Sequence, residues 1–97
     1  MEFEWDPSKA SQNLRKHKIS FGEAATVFRD RLSIAIDDPD HSIREERFII
    51  IGVSERQRLL MVAYTERGKR IRIISARRLN PTERRAYEKE IKNRFER

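Results

Sequence analysis

The chain changes its hydrophobic period twice. From Pro7 to Phe28 apolar residues recur three and four positions apart, as on a helix. From Leu32 to Ala76 they gather in short runs or alternate, and from Pro81 onward the helical spacing returns. In the first zone Asp6-Pro7 predicts a helix start, because the carboxylate can accept from free amides and proline suits the first helical position. Ala10, Leu14 and His17 share one face of that helix, and Lys9, Asn13 and Lys16 share the adjoining one. Ser20 and Glu23 predict a capping box for a second helix, whose apolar stripe is Phe21, Ala24, Ala25 and Phe28.

Strands fill the middle. A short one is expected at Phe3 to Trp5, and LSIAI (32–36) is another, stopped by the turn signal of Asp37, Asp38, Pro39 and Asp40. ERFIIIGV (46–53), RLLMVAYT (58–65) and RIRIISA (70–76) follow, separated by hairpin-length connections at 54–57 and 66–69. Asn80-Pro81-Thr82-Glu83 then opens a last helix, with Tyr87, Ile91 and Phe95 as its buried stripe. This order predicts an α+β fold in a single domain spanning residues 1–97. Two N-terminal helices and a C-terminal helix pack on a curved antiparallel sheet of about four strands.

Charge sharpens that picture. The chain carries 22 Lys and Arg against 16 Asp and Glu, a net +6, and the six basic residues of RGKRIRIISARR (67–78) equal that whole excess. The charge therefore sits on a strand, which suits a polyanion held in a defined place. Strict alternation puts Arg70 and Arg72 on one face of this strand and Arg77 on the other. Cysteine is absent, excluding disulfides and thiolate metal sites, and no apolar run approaches a membrane span. The acidic start MEFEWDP lacks the layout of a signal peptide, so a soluble cytoplasmic protein with no membrane partner is expected.

WDPSKASQNLRKHKISFGEA, ERFIIIG, VAYTERG and RIISARRLNPTERRAYE together resemble the BrnT family of type II toxins over nearly the whole chain. The resemblance implies a RelE-like fold and a ribonuclease that arrests translation. It also implies a stable complex with a BrnA-type antitoxin, which carries the operator-binding domain through which the pair represses its own transcription. One departure stands out. The family usually places glycine after its Lys-His pair, whereas this chain has Lys18, at a cost on the order of 1 kcal/mol if the helix ends left-handed.

Metal-free RNA cleavage needs a base for the 2′-hydroxyl, cations for the transition state and an acid for the leaving oxygen. Arg72 and Arg77 are the leading cations, since the guanidinium fork matches phosphate oxygens. A carboxylate across the sheet is the competing partner for Arg72. His17 is the acid/base candidate, because imidazole is the side chain suited to proton transfer near neutral pH, but it reads equally as a helix-end residue packed over the core. Tyr64, near a strand end, is expected to be the more exposed of the two tyrosines and able to donate a proton or stack on a base. Lys9, Lys16, Arg70, Arg78 and Ser75 are candidate RNA contacts, and Asn13 could extend the same basic rim. DDPDH (37–41) lacks the glycine and final glutamate of a calcium loop, so no metal site is expected there, and no motif implies a cofactor. Two other classes fit the charge alone: a nucleic-acid-binding module without catalysis, and a structural subunit bound to an acidic partner.

Overall fold

A computed structural model describes residues 1–39 and 46–95. The elements are β1 (Glu2–Glu4), α1 (Pro7–His17), α2 (Phe21–Thr26) and a 3-10 turn (Val27–Arg29), then β2 (Ile34–Asp37), β3 (Phe48–Val53), β4 (Leu59–Arg67), β5 (Arg70–Arg78) and α3 (Pro81–Phe95). The strands form one sheet in the order β1-β5-β4-β3-β2. Four of them make the expected antiparallel meander. The fifth corrects the expectation: β1 joins the sheet and runs parallel to β5, with Glu2 beside Arg70 and Glu4 beside Arg72.

The helix starts follow the local chemistry of the sequence. Asp6 accepts from the Ser8 amide at 2.8 Å with Pro7 behind it, and Ser20 Oγ accepts from the Glu23 amide at 3.0 Å. Glu23 does not complete that box. It turns inward to Arg58 and Ser54, because two strong donors outweigh one backbone amide. At α3 the box closes fully: Asn80 Oδ1 accepts from the Glu83 amide at 2.8 Å, and Glu83 Oε1 accepts from the Asn80 amide at 2.9 Å. Lys18 ends α1 in the left-handed region, φ 61°, its amide donating to Leu14 O at 3.0 Å.

One face of the sheet carries the core. Ile19, Phe21, Ala24 and Val27 from the helical layer bury against Ile50, Leu60, Val62, Tyr64, Ile73 and Ala76. Gly52 lets this layer approach closely, because a Cβ there would lie 2.9 Å from Asp30 Oδ2 and 3.1 Å from Val27 Cγ1. α1 presents Ala10, Asn13 and His17 inward, so Leu14 is left 49% exposed rather than sharing their face. Asn13 is buried where β1 no longer flanks β5. Its amide group donates to Ala76 O and accepts from Ala76 N, at 2.9 and 3.0 Å, taking the place of the missing neighbouring strand. It also donates to Ile19 O at 2.9 Å, which ties the start of α2 to the same point.

The stripe expected on the last helix is not buried. No α3 residue is buried, Tyr87 and Ile91 are half-covered, and Phe95 is 68% exposed. The spacing of the three residues is helical, but α3 packs only lightly on the rest of the fold. Of the DDPDH segment, Asp40 and His41 fall outside the described residues.

Candidate functional site

A bulge in β5 decides which basic residues act together. Ala63 pairs with Ser75, yet the next residue of β4, Tyr64, pairs with Ile73, so Ile74 is an extra residue on β5. One inserted residue reverses the alternation beyond it. Arg72 and Arg77 therefore lie on the same face rather than opposite ones, opposite Thr65 and Met61 of β4, with Ser75 between them and Arg70 further along. This is the face away from α1 and α2.

Arg70, Arg72 and Arg77 each meet a carboxylate. Arg70 Nε lies 3.3 Å from Glu2 and Arg72 Nη1 lies 2.7 Å from Glu4, both across the parallel β1–β5 pair. The cross-sheet partner considered for Arg72 is thus Glu4. Arg77 forks Glu83, with Nη1 and Nη2 each 2.8 Å from a carboxylate oxygen, while Nη1 also donates to Arg78 O and Nη2 touches Met61 Sδ at 3.3 Å. The Arg77 fork and then the Asn80 amide hold the Glu83 carboxyl at about 2. The acidic residue in the first turn of α3 thereby becomes an anchor for the strand.

Beside Arg77 the outer face sinks into a cavity of about 200 Å³, walled by Asp38, Ile49, Met61, Ala63, Ser75 and Arg77. Asp38 is 8% exposed. In the sequence it reads only as part of a turn, and its one signal is position: it directly follows the last residue of β2. Ser75 and Arg77 come together here with a carboxylate that the motif did not announce.

The other expected residues lie elsewhere. Tyr64 is on the core face and 7% exposed, its ring 5.0 Å from Phe28 and 5.6 Å from Phe48. Burial pushes its hydroxyl up from the usual tyrosine value, with Glu66 adding to the effect. The expectation of an exposed Tyr64 fails because β4 alternates without interruption, so Tyr64 follows Leu60 and Val62 onto the core face. His17 is half-buried in the last turn of α1, and Lys9 and Lys16 are exposed along that helix. Asn13, read as part of the same rim, is structural. At the sheet end nearest His17, Arg58 reaches Lys18 O at 3.4 Å while gripping Glu23, whose carboxyl is lowered chiefly by that grip.

A family profile described as the ribonuclease toxin BrnT of type II toxin–antitoxin systems matches residues 5–83. No curated protein sequence matches the chain. Among solved structures, the 1.1 Å crystal structure of the Brucella abortus ribonuclease toxin BrnT superposes with a TM-score of 0.61 at 22% identity. That superposition covers 82% of this chain and 97% of the Brucella one, and it establishes a shared fold.

Proposed function

Because the chain belongs to the BrnT family of ribonuclease toxins of type II toxin–antitoxin systems, we propose that it cleaves RNA without a metal on the outer face of β5. The supporting observation is the bulge at Ile74, which gathers Arg70, Arg72, Ser75 and Arg77 on one face beside the cavity that Asp38 lines. Arginine supplies the positive charge that a metal would otherwise bring to the transition state. The ion pairs to Glu2, Glu4 and Glu83 are not obstacles. Pairs with this much exposure are each worth about 0–1 kcal/mol, so a phosphate can displace or share them.

In this reading Arg77 and Arg72 hold the scissile phosphate and Ser75 donates to one of its oxygens. The Asp38 carboxylate takes the proton of the 2′-hydroxyl as that oxygen attacks phosphorus. The 5′-oxygen leaves with a proton from solvent, giving a cyclic phosphate end. Arg78 at the end of β5 meets the flanking chain, whereas Lys9 and Lys16, on α1 across the sheet, make no contact in this reading. His17 and Tyr64 do not line the cavity and carry no step here. A BrnA-type antitoxin neutralises the enzyme in the cytoplasm, and the complex represses its own operator through the antitoxin.

Induction of the free protein should stop growth and translation, and the purified protein should cut RNA in EDTA. Arg77→Ala should lower cleavage by about two to three orders of magnitude while the protein stays folded, the scale expected for losing one transition-state donor. Asp38→Asn should lower it as well. Full activity in both variants would overturn the assignment. RNA bound tightly but left intact by the wild type would favour the non-catalytic binding module.

A further inference from the structure

Another cavity lies around the end of β5 from this face. It measures about 510 Å³ and runs between the strand ends and α3, lined by Arg58, Leu59, Arg78, Arg84, Tyr87 and Glu88 among others. We infer that this groove is a second RNA-contacting site that holds one unpaired nucleotide of the strand being cut, with its base on the Tyr87 ring and its phosphates on Arg78 and Arg84. The inference rests on the ribonuclease reading and extends it to residues beyond the matched 5–83.

The charge state of the groove distinguishes it from the outer face. There, Arg70, Arg72 and Arg77 already meet carboxylates. Here Arg58 is balanced by Glu23, but Arg78 and Arg84 make no side-chain hydrogen bond or ion pair among the described residues. Two uncompensated guanidinium groups flank one cavity whose volume suits a ligand the size of a nucleotide. Arg84, Tyr87 and Glu88 are three and four apart, so α3 turns a single face toward it. Tyr87 is half-buried, and burial first, then the charge of Asp30, pushes its hydroxyl up from the usual value. A ring fixed beside Leu59, with free cations on either side, provides both parts of single-strand recognition: a stacking platform and phosphate contacts.

Continuity gives the occupant. Arg77 lines the outer-face cavity and Arg78 lines the groove, and their Cα atoms are about 3.8 Å apart. Their side chains point to opposite faces at the strand end. A polynucleotide held by Arg77 therefore meets Arg78 as it rounds the sheet, without crossing open surface. Glu88 is the acidic residue of the wall and should oppose the ligand.

The test uses a fluorescein-labelled single-stranded 2′-O-methyl RNA, which cannot be cut through its 2′-oxygen, with anisotropy read over a range of salt. The double variant Arg78→Ala/Arg84→Ala should bind at least about tenfold more weakly. Its log–log salt slope should fall by about 1.4, at roughly 0.7 per lost phosphate contact. Tyr87→Ala should weaken binding by about 5- to 150-fold, the range for losing one stacked base, and Tyr87→Phe should bind as wild type. Glu88→Gln should bind more tightly. Unchanged affinity in the double variant and in Tyr87→Ala, with wild-type cleavage retained, overturns the groove but leaves the ribonuclease reading standing. A wild type that neither binds nor cuts RNA defeats both. Variants that bind RNA normally but lose the antitoxin mark the groove as a protein-docking surface and also overturn the inference.

Discussion

Asn13 offers the sharpest test of how this fold is held. Replacing it with alanine removes three buried hydrogen bonds and leaves Ala76 N–H, Ala76 C=O and Ile19 C=O without their partner. At about 1 kcal/mol per bond, with part of the desolvation cost of orphaned backbone groups added, the loss should be roughly 3–4 kcal/mol. A domain of this size has on the order of 5–15 kcal/mol in total, so the variant should remain folded at 25 °C but melt far earlier. The urea midpoint should fall with an unchanged slope. Asn13→Asp separates hydrogen bonding from packing. The introduced carboxylate keeps the acceptor for Ala76 N but faces two carbonyl oxygens, so its folded pKa lies above its unfolded one. The deficit is then smallest below about pH 4, the unfolded aspartate value, and grows as pH rises through the folded pKa. A loss under about 1 kcal/mol in Asn13→Ala, or an Asn13→Asp deficit independent of pH, would refute the claim that this side chain closes the edge of β5.

Three further outcomes are expected. Gly52→Ala should destabilise by about 2 kcal/mol or more in urea titrations, since its Cβ meets the Asp30 carboxylate that caps Val53 N at 2.8 Å. Lys18→Gly should stabilise by about 1 kcal/mol by relieving the left-handed residue at φ 61°, and a lower melting temperature would contradict that account. Glu83 has a depressed folded pKa, so its contribution is complete above its ordinary value of 4.5 and is lost as pH falls toward about 2. The urea-midpoint gap between wild type and Glu83→Gln should therefore close across that window, from about 1 kcal/mol at neutral pH for so exposed a pair.

The sequence was most legible where chemistry is local. Asp6-Pro7, Ser20 and the Asn80 to Glu83 box act within one turn, and all three start helices where they should. What escaped depends on distant partners. RIRIISARR alternates cleanly on paper, and nothing local marks Ile74 as the residue β4 will skip. That single offset moved Arg77 onto the face of Arg72. Asn13 looked like one more polar residue on a basic helix, because its partner is 63 residues away. Glu23 followed the same logic, choosing Arg58 over its own helix end. Tyr87, Ile91 and Phe95 have a core-facing spacing, but spacing does not say whether a sheet extends beneath it.

The parallel pairing of β1 with β5 sets the order in which the molecule can be completed. Glu2–Glu4 is made first, yet its neighbour in the sheet is Arg70–Arg72. A chain emerging from a ribosome must hold this strand unpaired until the last hairpin is out, and such distant contacts also form slowly. Glu2 and Glu4 reach Arg70 and Arg72 only at that moment. Arg70 and Arg72 thus gain their carboxylate partners only when the two strands of the sheet most distant in sequence meet.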